Sequence, residues 1–134
     1  MLETEFKKAP DHSVREVYIS PDLLLVRKID QLVDQYFKTH SRAFYYCSQV
    51  SCSLKVVNAI LKFHRNLTLN ALIQERRHRE AICLLTHSSM AVKWIAYELG
   101  FCDPGHFIRA FSNKEGLSPA KFRQLNLRQK KGSG

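Results

Sequence analysis

The chain has 134 residues, 45% of them apolar, and a formal net charge of +9. That apolar fraction excludes a disordered chain, and the length suffices for one core or for two small ones sharing a helix. No run approaches the ~20 apolar residues of a membrane span, and MLETEFKKAP lacks the apolar centre of a secretory signal, so a cytoplasmic protein is expected.

Residues 1–19 are polar apart from a brief alternation at Val14, Val17 and Ile19, and read as a tail or linker remnant. Ser20-Pro21-Asp22 is a strong helix start. The stripe Leu25, Val26, Ile29, Leu32, Val33, Tyr36 and Phe37 then predicts a helix with one buried face, structural or dimerising. Ser41 is the expected cap of a second helix carrying Phe44, Tyr46, Cys47 and Val50. After the turn Ser51-Cys52, Ser53 caps a third helix with Val56, Val57, Ile60, Leu61 and His64, ended by Asn66, which tolerates a left-handed conformation. Its outer positions are Lys55, Asn58, Ala59, Lys62 and Arg65.

Thr68 opens a longer helix with Leu69, Leu72, Ile73, Ala81, Ile82, Leu84 and Leu85. Its middle, Glu75-Arg76-Arg77-His78-Arg79-Glu80, is too polar to be buried on every side, so this helix is expected to bridge two units and expose its waist. Val92, Ile95, Ala96 and Leu99 form the next ladder, stopped by Gly100. Asp103-Pro104 then caps a helix with Phe107, Ala110, Phe111 and the Lys114 stem, ending at Gly116. Phe101, Trp94 and Phe122 are expected in the core with Phe107 and Phe111. Ser118-Pro119 starts a closing helix, and a polar tail is expected from residue 129.

Two short helices around a tight turn thus occur twice, and the second helix of such a pair can lie in a DNA major groove. The two pairs also form a weak internal repeat. An offset of 50 matches Ser53 with Asp103, Val57 with Phe107, Leu61 with Phe111, Asn66 with Gly116 and Thr68 with Ser118. Before the turns the offset is 49, matching Cys47 with Ala96, Val50 with Leu99 and Ser51 with Gly100, so the second turn holds one extra residue. The expected fold is all-α: about seven helices forming two helix-turn-helix subdomains (20–67 and 88–128) joined by a long central helix (68–87).

Charge follows the same division. Residues 1–40 carry six Lys/Arg against seven Asp/Glu, and residues 41–134 carry fifteen against five, so the whole excess lies in the repeated part. A polyanion partner is one reading of this and a merely solvated basic face is the other. Cys47, Cys52, Cys83 and Cys102 form no CxxC pair, and His64 and His78 do not complete a metal-ligand spacing. Reduced thiols are expected, with Cys47 and Cys83 acting as small hydrophobes within helical patterns. No catalytic constellation or phosphate-cradling glycine loop occurs, so neither an enzyme nor a cofactor is expected.

GF at 100–101, HFIRAF at 106–111, EGLSPAKFR at 115–123 and RHREAICLL at 77–85 together resemble the DNA-binding domain of AraC/XylS-family bacterial transcription regulators. The likeness covers about residues 25–125. It implies regulation of transcription through two recognition helices in adjacent major grooves of double-stranded promoter DNA. Family members commonly contact RNA polymerase, and most carry a separate sensor or dimerisation domain. The family's base-reading positions fall here on Lys55, Asn58 and Ala59, and on Pro104, Gly105, His106 and Arg109.

Several of these depart from the family's pattern. Pro104 and Gly105 offer no side-chain hydrogen bond, and Ala59 can touch only a thymine methyl. Ser51 and Asn66 replace the usual glycines, His78 replaces a leucine, and Trp94 replaces a residue that is commonly acidic. Base reading is therefore expected of Lys55, Asn58, Ala59, His106 and Arg109. Arg109 stands about 200° round the helix from Phe107 and suits guanine, while Asn58 suits adenine. Phosphate contacts are expected of Lys62, Arg65, Arg76, Lys93, Ser112 and Asn113. The alternative is a protein-interaction or dimerisation module that binds DNA weakly or without specificity.

Overall fold

The computed structural model describes residues 19–133, with side chains to Gln129. The alternation at Val14 and Val17 lies outside the described residues. Seven helices follow one another: α1 (Pro21–Tyr36), α2 (Ala43–Val50), α3 (Leu54–Arg65), α4 (Leu69–His87), α5 (Val92–Glu98), α6 (Pro104–Glu115) and α7 (Pro119–Ser133). Among the described residues the fold is all-α, consistent with two helix-turn-helix subdomains joined by α4. The helix α7 runs through the segment expected as a polar tail.

The local signals act as read. Ser20, Ser53 and Thr68 each accept a hydrogen bond from the backbone N–H three residues on, at Leu23, Val56 and Ala71. Arg42, rather than Ser41, occupies the cap position of α2, and it makes no side-chain cap. The two corners share one geometry. Ser51 (φ 55°) and Gly100 (φ 92°) are both left-handed. Cys52 N–H donates to the Cys47 carbonyl and Ser51 N–H to Ser48, just as Phe101 donates to Ala96 and Gly100 to Tyr97. These are equivalent pairs at the offset of 49. Each is the paired closure that satisfies carbonyls orphaned at a helix end. Asn66 (φ 56°) and Gly116 (φ 80°) end α3 and α6 in the same manner.

A continuous core runs from Val26 and Ile29 of α1 through Tyr46, Val57, Leu61, Ile73 and Leu85 to Ile95, Leu99, Phe107 and Phe111. The helix α4 packs on α1, α2 and α3 at one side and on α5 and α7 at the other. Its waist is more enclosed than its composition suggested. Arg76 meets α1, Arg77 is buried against the α5 corner, and His78 Nε2 lies 2.5 Å from Glu115 Oε2 of α6.

The structure corrects the stripe at its edges. Phe44 is 80% exposed and Trp94 57%, and Val56 and Ala110 also face solvent. Helical period places such residues beside a stripe, but whether a neighbouring helix reaches them depends on packing. Cys83, expected as a small hydrophobe, is exposed, while Cys47 is buried.

Tyr46 is fully buried and donates its hydroxyl to the His40 carbonyl at 2.7 Å. Burial, and then nearby Tyr45, push its pKa up to about 12, against a smaller opposing pull from Arg77. The unfolded phenol ionises near pH 10 and the folded one does not. This contribution is therefore complete below pH 10 and is lost as pH rises from 10 toward 12, by at most about 2–3 kcal/mol. Tyr46→Phe should lower stability at neutral pH by about 1 kcal/mol and make the alkaline decline shallower, as measured by denaturant midpoints between pH 7 and 11.5.

Candidate nucleic-acid interface

In each unit the second helix is held by its inner face, which leaves its outer face open. The α3 helix buries Val57 and Leu61 and exposes Lys55, Ala59 and Lys62. The α6 helix buries Phe107 and Phe111 and exposes His106, Arg109, Asn113 and Lys114. Among the described residues, Lys55, Lys62, Arg109 and Lys114 have no hydrogen-bond or ion-pair partner. Lys114, read from the sequence through its stem, is thus a basic group on this surface. Lys93 is exposed near the Trp94 ring (5.4 Å), Ser112 is half-buried, and His106 meets the Phe101 ring edge-on at 5.5 Å.

Three of the expected contact residues are engaged inside the protein. Asn58 is half-buried, and its Oδ1 accepts from Leu69 N–H at 2.8 Å. Reading adenine in bidentate fashion uses that same oxygen as acceptor for N6–H, and in Asn58 one of its two lone pairs is already spent on the start of α4. The repeat supplies the reason. The equivalents of Asn58 and Leu69 in the second unit are Ile108 and Pro119. Proline has no N–H to satisfy, so no acceptor is needed there and Ile108 lies exposed.

Arg76 donates to Asp34 (2.7 Å) and Glu80 (3.2 Å) and lies over the Phe37 ring at 4.2 Å, which ties α4 to α1. Arg65 pairs with Asp30 at 2.6 Å. That pair is half-exposed and worth only ~0–1 kcal/mol, so a phosphate can recapture Arg65, whereas Arg76 is committed by three partners. The neighbouring Arg77 is structural too, held by the Leu99 carbonyl and the Gln74 side-chain oxygen and by no carboxylate among the described residues.

The surface around these helices is not uniformly polar. Leu54, Val56 and Phe63 (84% exposed) flank the α3 reading positions, and Phe44 projects from α2. The first unit thus offers mainly lysines and apolar groups. The second offers a planar cation, an imidazole and an amide.

Comparison with known proteins agrees with the helix-turn-helix fold. The family described as "Helix-turn-helix domain" matches residues 46–125. The HTH-type transcriptional activator RhaR of Escherichia coli (strain K12) is 31% identical over 81 residues, which are 60% of this chain and 29% of that protein. The chain therefore spans under a third of the length of the curated relatives it matches. Among solved structures, the C-terminal domain of AraT, a response regulator from Geobacillus stearothermophilus, superposes with a TM-score of 0.72 at 22% identity, covering 79% of this chain and 86% of that one. An AraC-type DNA-binding transcriptional regulator from Chromobacterium violaceum gives a TM-score of 0.70 at 17% identity, covering 77% and 92%. At those identities the superpositions speak for the fold alone.

Proposed function

This chain belongs to the helix-turn-helix domain family, and from that premise we propose that it is an AraC/XylS-type DNA-binding domain that binds promoter DNA sequence-specifically to regulate bacterial transcription. In this reading α3 and α6 enter adjacent major grooves. The observation that carries it is the duplicated corner. Two closures with the same left-handed residue and the same pair of hydrogen bonds each present a helix whose outer face bears unpaired basic groups. The α4 helix, 19 residues long, spans about 28 Å between them, comparable with the ~34 Å of one DNA turn.

The two helices have unequal tasks. Arg109 is the principal base reader, aimed at guanine O6 and N7, with His106 beside it. In the first unit Lys55 supplies hydrogen bonding and Ala59 meets a thymine methyl; Lys62 and Arg65 there, and Lys93, Ser112 and Asn113 in the second unit, hold phosphates. Contact with RNA polymerase, and coupling to a sensor or dimerisation domain outside this chain, belong to the same proposal. The greater length of the curated relatives supports the latter.

Selection of bound duplexes from a random pool tests this reading. Two short preferred blocks about one helical turn apart are expected, with a guanine in one of them. Arg109→Ala should relax that position by ~1–3 kcal/mol and leave the other block intact. Equal affinity for selected and random duplexes would favour a second reading, a protein-interaction module. That reading draws on the exposed Phe44, Phe63 and Trp94.

A further inference from the structure

The N-terminal turn of α6 holds a carboxylate and a guanidinium around a missing side chain. Asp103 caps the helix with one oxygen only: Oδ1 accepts from Gly105 N–H at 3.2 Å. Among the described residues Oδ2 accepts no hydrogen bond. A methyl group at Gly105 would stand 3.3 Å from Oδ2 and 3.4 Å from Arg109 Nη1. Gly105 and Arg109 are one turn apart, so the arginine reaches back along its own face of the helix, across the glycine, toward the cap.

That placement needs an explanation, because the first turn of a helix carries partial positive charge and disfavours a cation. A long side chain also loses rotamer freedom when held in one place. A carboxylate at the cap offsets both. No ion pair joins Asp103 and Arg109 in the free protein among the described residues, yet both reach the same small volume that any residue larger than glycine would fill.

We propose that Asp103 is a positioning residue for Arg109, and that Gly105 makes this possible. This deepens the reading of α6 as a base-reading helix and rests on it. With DNA in place, Oδ2 accepts from one edge of the guanidinium while the other edge presents two donors to guanine O6 and N7. The planar fork permits this division, which a lysine could not reproduce. Asp103 is an acidic residue beside a phosphate-facing surface and so weakens binding to every sequence. What it gives in return is base discrimination. The glycine that looks like a gap in the reading surface is the space in which the pair is built.

The experiment compares the full chain with Asp103→Ser, Gly105→Ala, Arg109→Ala and the Asp103→Ser/Arg109→Ala double variant. Affinities are measured for a selected duplex, for duplexes with the guanine position replaced, and for random duplex. Serine caps a helix as well as aspartate, so Asp103→Ser should keep the parent's thermal midpoint. It is expected to bind random duplex more tightly, having lost a negative charge, while discrimination at the guanine position falls about fivefold or more. Gly105→Ala, a better helix former, should lose discrimination to a similar extent without losing stability. In the Arg109→Ala background, Asp103→Ser should change discrimination no further. If Arg109→Ala relaxes the guanine position but Asp103→Ser leaves it at the parent's level, the positioning role is overturned and the base-reading role stands. If Gly105→Ala alone retains full discrimination, the glycine is not required and the proposed geometry is wrong. If Arg109→Ala relaxes nothing, both the reading of α6 and the inference built on it are removed.

Discussion

Gly100→Ala is expected to lower the free energy of unfolding by about 2–5 kcal/mol. Gly100 sits at φ 92°, where alanine is strained by about 1–2 kcal/mol. A methyl there would overlap the carbonyl oxygen of Lys38 and lie 3.3 Å from its carbonyl carbon. That oxygen belongs to the backbone just beyond α1 and cannot swing aside as a side chain would. Lys38 is also tied to the α5 end through its ammonium, 2.8 Å from Glu98 Oε2.

Gly116→Ala is the control. It shares the left-handed backbone (φ 80°), but a methyl there meets nothing within 4 Å, so it should lose only the conformational part, about 1–2 kcal/mol. The difference between the two, read from urea denaturation, measures how closely α1 presses on the second corner. Equal losses would show that it does not.

Arg77→Ala should cost about 2–4 kcal/mol. Arg77 is 7% exposed, yet no carboxylate meets it among the described residues. Its Nε donates to the Leu99 carbonyl at 3.2 Å, its Nη1 to Gln74 Oε1 at 3.3 Å, and its guanidinium lies 3.9 Å from the centre of the Phe101 ring. Burial pulls its pKa below the ordinary arginine value, with Tyr46 and Cys102 opposing. The cation is tolerated because it satisfies a carbonyl that the end of α5 leaves without a helical partner.

Alanine would remove that donor and leave a void beside Phe101 and Leu99. Methionine would fill the void without supplying the donor. The order of stability in denaturant melts is therefore parent, then Arg77→Met, then Arg77→Ala, with the methionine variant down by about 1–2 kcal/mol for the unpaired carbonyl. If both variants fall within about 0.5 kcal/mol of the parent, the arginine does not hold the corner.

Except at α2, where Arg42 takes the place expected of Ser41, the capping positions and the repeat were legible in the sequence, since both are short-range. Ser53 meets Val56 and Thr68 meets Ala71 within one turn. The left-handed residues Ser51, Gly100, Asn66 and Gly116 stand where the two alignment offsets placed equivalent stops. The outward position of Arg109 also follows from the buried Phe107 two residues earlier.

Which polar side chains are free was not legible. The partners of Asn58, Arg77, Arg65 and Arg76 lie 11, 22, 35 and 42 residues away, at Leu69, Leu99, Asp30 and Asp34. Residue type alone cannot distinguish an amide facing a base from one holding a helix start. Nor can a 3.6-residue period say whether Trp94 or Ala110, at the margin of a stripe, will be reached by another helix. The sequence by itself determined the helices, most of their ends and their duplication, because backbone dihedrals and caps depend on near neighbours. Only the tertiary structure decided which charges and amides are consumed inside the fold and which remain for a partner, because that depends on distant segments brought together by burial of the core.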